Sequence, residues 1–223
     1  MKEDRTVQSY VFAPLQFFAG AFFSEEIMKH QLLIKKIAKI ALISALAGVV
    51  NLFTVPLPIF PGFYEMDLSD VVVLIGGFHL GPWSVIVIEL IKQLINVSVN
   101  GTITAFVGEI ANFLMGVAFV FPAAFLYQKK KTFRRALVGL AVGLLSLAVF
   151  SSLLNYFVLI PTYASVFGME TVLNMAKSVI PAIGDLKTLI LFATIPFNLT
   201  KGIVCSVLTV LLYKRISPFL KKW

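Results

Sequence analysis

The sequence predicts an all-α integral membrane protein with six transmembrane helices and both termini cytoplasmic. Three observations carry that expectation. Hydrophobic residues make up 59% of the 223 residues and charged residues 13%, against about 45–50% and about 25% in ordinary soluble domains. The apolar residues gather in runs close to the roughly 20 residues a helix needs to cross a hydrocarbon core. The basic residues gather at the ends of those runs: 15 of the 19 Lys and Arg lie between Lys2 and Lys39, between Lys129 and Arg135, or between Lys214 and Lys222.

A mean hydropathy of +0.93 leaves too little polar surface to cover a water-soluble globule, which excludes a soluble enzyme, a disordered chain and a fibrous repeat. The basic patches match cytoplasmic flanks under the positive-inside rule, with anionic lipid headgroups as their counter-charge. The net charge of +8 is therefore mainly topological, and nucleic acid is a poor match as its partner. A single cysteine, Cys205, rules out an internal disulfide framework, a cysteine zinc cluster and an iron–sulfur site.

The spans follow in order. Ile37–Val55 is the first, closed by Pro56, Pro58 and Pro61. Leu68–Leu80 is short; Asp67 or Ser69 can cap its start, and Gly81-Pro82 stops it. Pro82–Val99 follows at once, so the two form a tight pair. Ile103–Tyr127, Ala136–Ile160 and Thr188–Tyr213 complete the six. An even number of crossings returns the tail to the starting face, in agreement with the basic patches. The outer connections are then Pro56–Asp67, a short link at Asn100-Gly101, and Pro161–Lys187. The last has 27 residues and a possible short helix at Met169–Ser178, and a connection of that length is a lid or a loose connector. The chain divides into an N-terminal extension, residues 1–30, interfacial or disordered, and a six-helix membrane domain, residues 31–223. The Phe-rich run Tyr10–Phe23 in the extension is too short to span, and an internal start at Met28 is the other reading of this segment.

Ionisable residues inside a membrane mark function unless they merely pair with one another. Four lie within the spans: Glu89, Lys92, Glu109 and Lys201. Glu89 and Lys92, at i,i+3, suit a plain ion pair. Amides accompany the others at helical spacing: Lys92 with Asn96, Glu109 with Asn112, and Asn198 with Lys201, each pair on one helix face. Asn155-Tyr156 adds a polar pair late in the fifth span. In the assigned topology Asn96, Glu109, Asn112 and Asn155 lie within roughly 15 Å of the outer surface, and the Lys201 stem can lift its ammonium towards them. Lys201 either recognises a ligand or neutralises Glu109. Asp67 and Asp70 share a helix start and suffice as capping charges.

The missing residues narrow the cargo. External positive charge comes only from Lys177 and Lys187, so a phosphorylated ligand finds no Arg clamp. The four intramembrane charges sum to zero, which suits a neutral molecule rich in donors and acceptors. The 21 Phe, 6 Tyr and 2 Trp offer flat surfaces for a planar one. No phosphate loop, H-E-x-x-H pair or nucleophile elbow is present, so the chain cannot hydrolyse ATP by itself. Small residues recur at i,i+4 in Ala41/Ala45, Gly77/Gly81 and Gly139/Gly143, spacings that let helices approach closely.

Several ordered motifs resemble one family. Pro61-Gly-Phe-Tyr-Glu-Met-Asp-Leu-Ser-Asp70, Ile75-Gly-Gly-Phe78 and Gly81-Pro-Trp83 are similar to the riboflavin-specific substrate-binding (S) components of energy-coupling factor (ECF) vitamin transporters, the RibU family. Gly108-Glu-Ile-Ala-Asn-Phe-Leu-Met-Gly116, Asn155-Tyr-Phe157, Pro161-Thr-Tyr163 and Pro196-Phe-Asn-Leu-Thr-Lys-Gly202 resemble it too. The resemblance runs from about Ile37 to Tyr213. It implies a six-helix protein of the prokaryotic plasma membrane that takes riboflavin from outside as a transported ligand, uses no cofactor, and docks on a transmembrane coupling (T) subunit driven by two ATPases. It also implies that the Ala41/Ala45 face of the first helix meets the T subunit. The candidate substrate-binding residues are Glu109, Asn112, Asn155, Tyr156, Asn198 and Lys201, with Asn96, and Tyr64 from the first motif. An S component for another vitamin, or a secondary carrier or membrane-embedded enzyme using Glu109, are the alternatives to be separated.

Overall fold

The computed structural model describes the backbone of residues 4–102 and 106–222, and the side chains of residues 28–102 and 106–213. Two compact units divide the chain, residues 1–39 and residues 40–223. The first is helical backbone from Asp4 onward, the start of α1 (Asp4–Asn51). The expected N-terminal extension falls almost wholly on side chains outside the described residues.

The second unit holds everything else. After α1 come two short strands, β1 (Val55–Pro56) and β2 (Glu65–Met66), paired antiparallel with Val55 opposite Met66. The first span was expected to run to Val55; it stops at Asn51 instead, and Val55 is taken into the ladder. Next are α2 (Ser69–Leu80), α3 (Pro82–Asn100), α4 (Val107–Lys129) and α5 (Phe133–Leu154). A π-helical turn at Asn155–Leu159 leads into α6 (Ile160–Phe167), followed by α7 (Met169–Lys177) and α8 (Leu186–Leu189). A second π-helical turn, Ile190–Thr194, leads into α9 (Ile195–Lys222).

Among the described residues four stretches are long and apolar enough to cross a membrane: Pro82–Asn100, Val107–Lys129, Phe133–Phe167 and Leu186–Tyr213. They overlap the third to sixth expected spans, with shifted bounds. The α2 helix, 12 residues long, is apolar but shorter.

Both π turns have the same physical cause. Proline has no N–H and its ring clashes with the carbonyl four residues back, and each π turn ends one residue before an X-Pro helix start, at Pro161 and at Pro196. Ile160 N–H bonds the Asn155 carbonyl and Ile195 N–H bonds the Ile190 carbonyl, each five residues back. The wider turn lets the helix continue through the proline. Pro161 therefore does not end the fifth span, as the sequence suggested, and the helical rod runs to Phe167. The expected 27-residue loop shrinks accordingly: α6 takes its first residues, α7 forms where a short helix was expected, and an Asp185/Thr188 capping box opens α8.

Gly81 turns α2 into α3 at φ +99°, a conformation without penalty only for glycine. The Gly139/Gly143 spacing acts within the chain. A Cβ at Gly139 would lie 2.6 Å from the Ala123 carbonyl oxygen, and one at Gly143 would strike the Phe119 carbonyl oxygen, so both glycines seat α5 directly on the α4 backbone. One apolar core joins α2, α3, α4 and α5 around residues such as Leu74, Ile88 and Phe119. A second joins the β1–β2 connection, α6, α7, α8 and the start of α9 around Tyr64, Ile160, Val172 and Phe197. Because Val172 and Ala176 of α7 are buried in it, that segment is packed structure and not a loose connector.

Candidate ligand cavity

A cavity of about 550 Å³ opens where residues of both cores meet, within the range of small-molecule pockets. The C-terminal half of α3, the N-terminal half of α4, the π turn after α5, α7 and the start of α9 all contribute to its walls. Seven of the eight expected substrate-binding residues line it: Tyr64, Asn96, Glu109, Asn112, Asn155, Asn198 and Lys201. Tyr156 does not. It follows Asn155 in the π turn, and that one-residue step turns it half-buried into the second core, with its ring at 4.9 Å from that of Phe157. Ala41 and Ala45 are exposed on α1, while Ile43, Ser44 and Ala47 between and beyond them are buried.

Tyr64 braces one wall. Its hydroxyl lies 2.6 Å from Thr194 Oγ1 and donates to Asn155 Oδ1 at 3.4 Å, so one phenol joins the two π turns. Burial pushes that phenol's pKa up, which keeps it a neutral donor. Its ring stacks on Phe197 at 5.0 Å between centroids. The amides of the turns are held by local carbonyls: Asn155 Nδ2 donates to the Ser151 carbonyl at 2.8 Å and Asn198 Nδ2 to the Thr194 carbonyl at 2.9 Å. Both side chains are thereby oriented before any ligand arrives.

The charged wall is where the structure corrects the sequence most. Lys201 Nζ bonds Asp67 Oδ2 at 2.7 Å and lies 3.4 Å from Asp70 Oδ2; it does not neutralise Glu109. Lys92, 2% exposed, bridges Asp70 at 2.9 Å and Glu89 at 2.7 Å. The expected Glu89–Lys92 pair is thus present as part of a buried network. Asp67 and Asp70 are members of that network and not mere capping charges, although Asp67 Oδ1 does accept from the Ser69 N–H at 3.0 Å and from the Ser69 hydroxyl. Burial pushes the Asp67 carboxyl up, but the neighbouring Lys201 and Lys92 ammoniums, with the bonds from Lys201 and Ser69, outweigh it and hold it below the usual carboxylate range. Gly116 makes room behind the network, since a Cβ there would lie 2.6 Å from the Glu89 carboxyl.

One signal for this network was present in the sequence. Asp70 and Lys92 stand 22 residues apart, placed symmetrically about Gly81, so an antiparallel hairpin brings them level. Lys201 has no such signal, because its partner is 134 residues away.

Glu109 lies in the first turn of α4, where the helix dipole favours a carboxylate. The Thr102 hydroxyl donates to its Oε2 at 3.1 Å and accepts from the Phe106 N–H at 2.8 Å. Phe106 itself sits at φ +71°, a strained conformation for a bulky residue. Elsewhere in the lining the Thr54 hydroxyl donates to Glu65 Oε2 at 2.6 Å. Nothing local in the sequence distinguishes Thr54, Glu65 and Thr102 as a set. The walls supply donors, acceptors and aromatic faces for binding, and among the described residues no cluster of His, Cys, Asp and Glu could hold a metal ion.

Residues 35–213 match the family model of the ECF transporter substrate-specific component. The chain is 35% identical over 188 residues to the riboflavin transporter RibU of Staphylococcus aureus, covering 84% of this chain and 93% of that one. It is 30% identical over 192 residues to the riboflavin transporter FmnP of Bacillus subtilis, covering 85% and 95%. A solved S component of a bacterial ECF transporter superposes with a TM-score of 0.66 at 32% identity, over 85% of this chain and 99% of that one. With a family model spanning most of the chain, relatives matched over nearly their full lengths and a shared fold, the chain belongs to the substrate-specific components of ECF transporters, membrane transport proteins and not enzymes.

Proposed function

We propose that this chain is a riboflavin-binding S component, which captures the vitamin outside the cell and delivers it through a complex with a T subunit and two ECF ATPases. The observation that carries the reading is the chemistry of the cavity in a chain whose relatives are named riboflavin transporters. Riboflavin is neutral and planar, with a pyrimidine edge of two carbonyls and one N–H and a ribityl chain of hydroxyls. The cavity offers Asn155, Asn198 and Lys201 as polar partners beside the Tyr64 and Phe197 rings. An ammonium donates only, whereas an asparagine side chain donates and accepts, so the set can satisfy both ends of the molecule.

In the same reading residues 31–223 are the six-helix membrane domain, with α1 and the short α2 as its first two crossings and residues 1–30 as an N-terminal extension. Both termini face the cytoplasm of a prokaryotic cell, where the basic patches meet anionic lipid. The exposed Ala41/Ala45 face of α1 is the T-subunit contact, since small side chains permit close approach of a second helix.

The absorption spectrum of the purified chain, followed by titration with riboflavin and quenching of its fluorescence, tests the proposal. A flavin spectrum or saturable quenching is the expected result. A chain that quenches another vitamin's signal and leaves riboflavin fluorescence unchanged is an S component of different specificity.

A further inference from the structure

The charged residues around the cavity are unequally matched. Four carboxylates line it, Glu65, Asp67, Asp70 and Glu109, against two ammoniums, Lys92 and Lys201. Both ammoniums are already held within 3.4 Å of Asp67 or Asp70, and Glu89 takes a further share of Lys92. An arriving anion therefore finds no unspent cation, and no arginine lines the cavity among the described residues. Glu65 and Glu109 are the excess. Each is anchored through Oε2 by one threonine hydroxyl, Thr54 and Thr102, and among the described residues no lysine stands in ion-pair reach of either. A carboxylate has about four acceptor sites, so a single hydroxyl leaves most of them for a ligand.

We propose that Glu65 and Glu109 make the cavity select the neutral flavin over its phosphate ester, accepting hydrogen bonds from ligand hydroxyls and repelling a phosphate monoester. The inference rests on the riboflavin reading above and deepens it, for that reading concerns what the site attracts and this one what it turns away. Acceptor-only groups complement the donors of a polyol. The same groups oppose a dianion with the Coulomb force of a partly desolvated charge pair, which salt screens only in part. Discrimination then comes from a repulsive element as well as from favourable contacts.

The experiment compares riboflavin with riboflavin 5′-phosphate by fluorescence quenching on the full chain in detergent, at low and high salt, in wild type, Glu65→Gln, Glu109→Gln and the double variant. The quantity read is the ratio of the two dissociation constants. In wild type the phosphate binds more weakly, and raising salt narrows the ratio. Each substitution narrows it by about three- to tenfold, the scale of one partly screened charge pair, and the double variant loses the salt dependence. A wild-type ratio of one or less, or a ratio that neither salt nor substitution moves, overturns the inference. The wild-type salt series decides the matter by itself, so a misfolded variant does not protect the inference. If wild type quenches neither flavin, the riboflavin reading itself has failed and this inference falls with it.

Discussion

Lys201 and Asp67, 134 residues apart, meet at 2.7 Å in the cavity wall, with Asp70 Oδ2 3.4 Å from the same ammonium. The pair ties α9 to the start of α2 and sets where the Lys201 donors stand before a ligand enters. A buried ion pair adds little net stability over an apolar pair, but removing one partner alone leaves a costly unpaired charge. Its value here is geometric: a four-carbon stem that could sweep the cavity is held in one place.

Lys201→Met keeps most of the stem volume and removes the donors. We expect riboflavin binding to weaken by roughly 1.5–3 kcal/mol, the scale of a hydrogen bond to a charged group, and the ligand-free melting temperature to fall because Asp67 and Asp70 lose a counter-charge. Adding Asp67→Asn should restore part of the melting temperature and none of the affinity. Titration and thermal unfolding of both variants side by side check this. Unchanged affinity with a lowered melting point would make Lys201 a scaffold residue only.

Tyr64→Phe deletes the hydroxyl that joins Asn155 to Thr194 and leaves the stacked ring on Phe197. The expected loss of stability is about 0.5–1.5 kcal/mol, with faster amide exchange in the Asn155–Leu159 and Ile190–Thr194 turns. Hydrogen exchange read by mass spectrometry locates the effect; protection lost uniformly along the chain would contradict it.

Acid sensitivity should run through Asp67. Its carboxyl titrates below the usual range when folded, so its contribution to stability is complete above the unfolded value of about 4. As pH falls below that value the unfolded chain takes up the proton first, and the contribution is lost on approach to the folded pKa. Melting temperatures between pH 6 and pH 3 should therefore fall less steeply for Asp67→Asn than for wild type. Parallel curves would locate the acid limb in other groups.

Leucine at both Ala41 and Ala45 adds volume on an exposed face of α1, at positions that do not line the cavity. Riboflavin affinity is expected to persist while co-purification with the T subunit and ATPases is lost. Normal recovery of the whole complex with the doubly substituted chain would place the contact elsewhere.

The sequence by itself determined the membrane class, the four long apolar helices and the family resemblance, and it singled out seven of the polar residues that line the cavity. These follow from local quantities: hydropathy over about 20 residues, the spacing that puts Asn198 and Lys201 on one helix face, and the ordered motifs. Tertiary structure alone decided the partners. Asp67 looked like a cap because its sequence neighbours are a helix start, and only the packing of α9 beside α2 supplies the ammonium that makes it a counter-ion. Pro161 looked like a stop because proline removes a hydrogen bond. The i,i+5 bonding of Asn155–Leu159 absorbs that loss, carries the helix to Phe167 and turns Asn155 towards the cavity and Tyr156 away from it. A charge or a proline carries its local preference in the sequence. Whether a buried charge is matched, and whether a lost hydrogen bond is replaced, depends on groups that only the folded chain brings within 3 Å or so of one another.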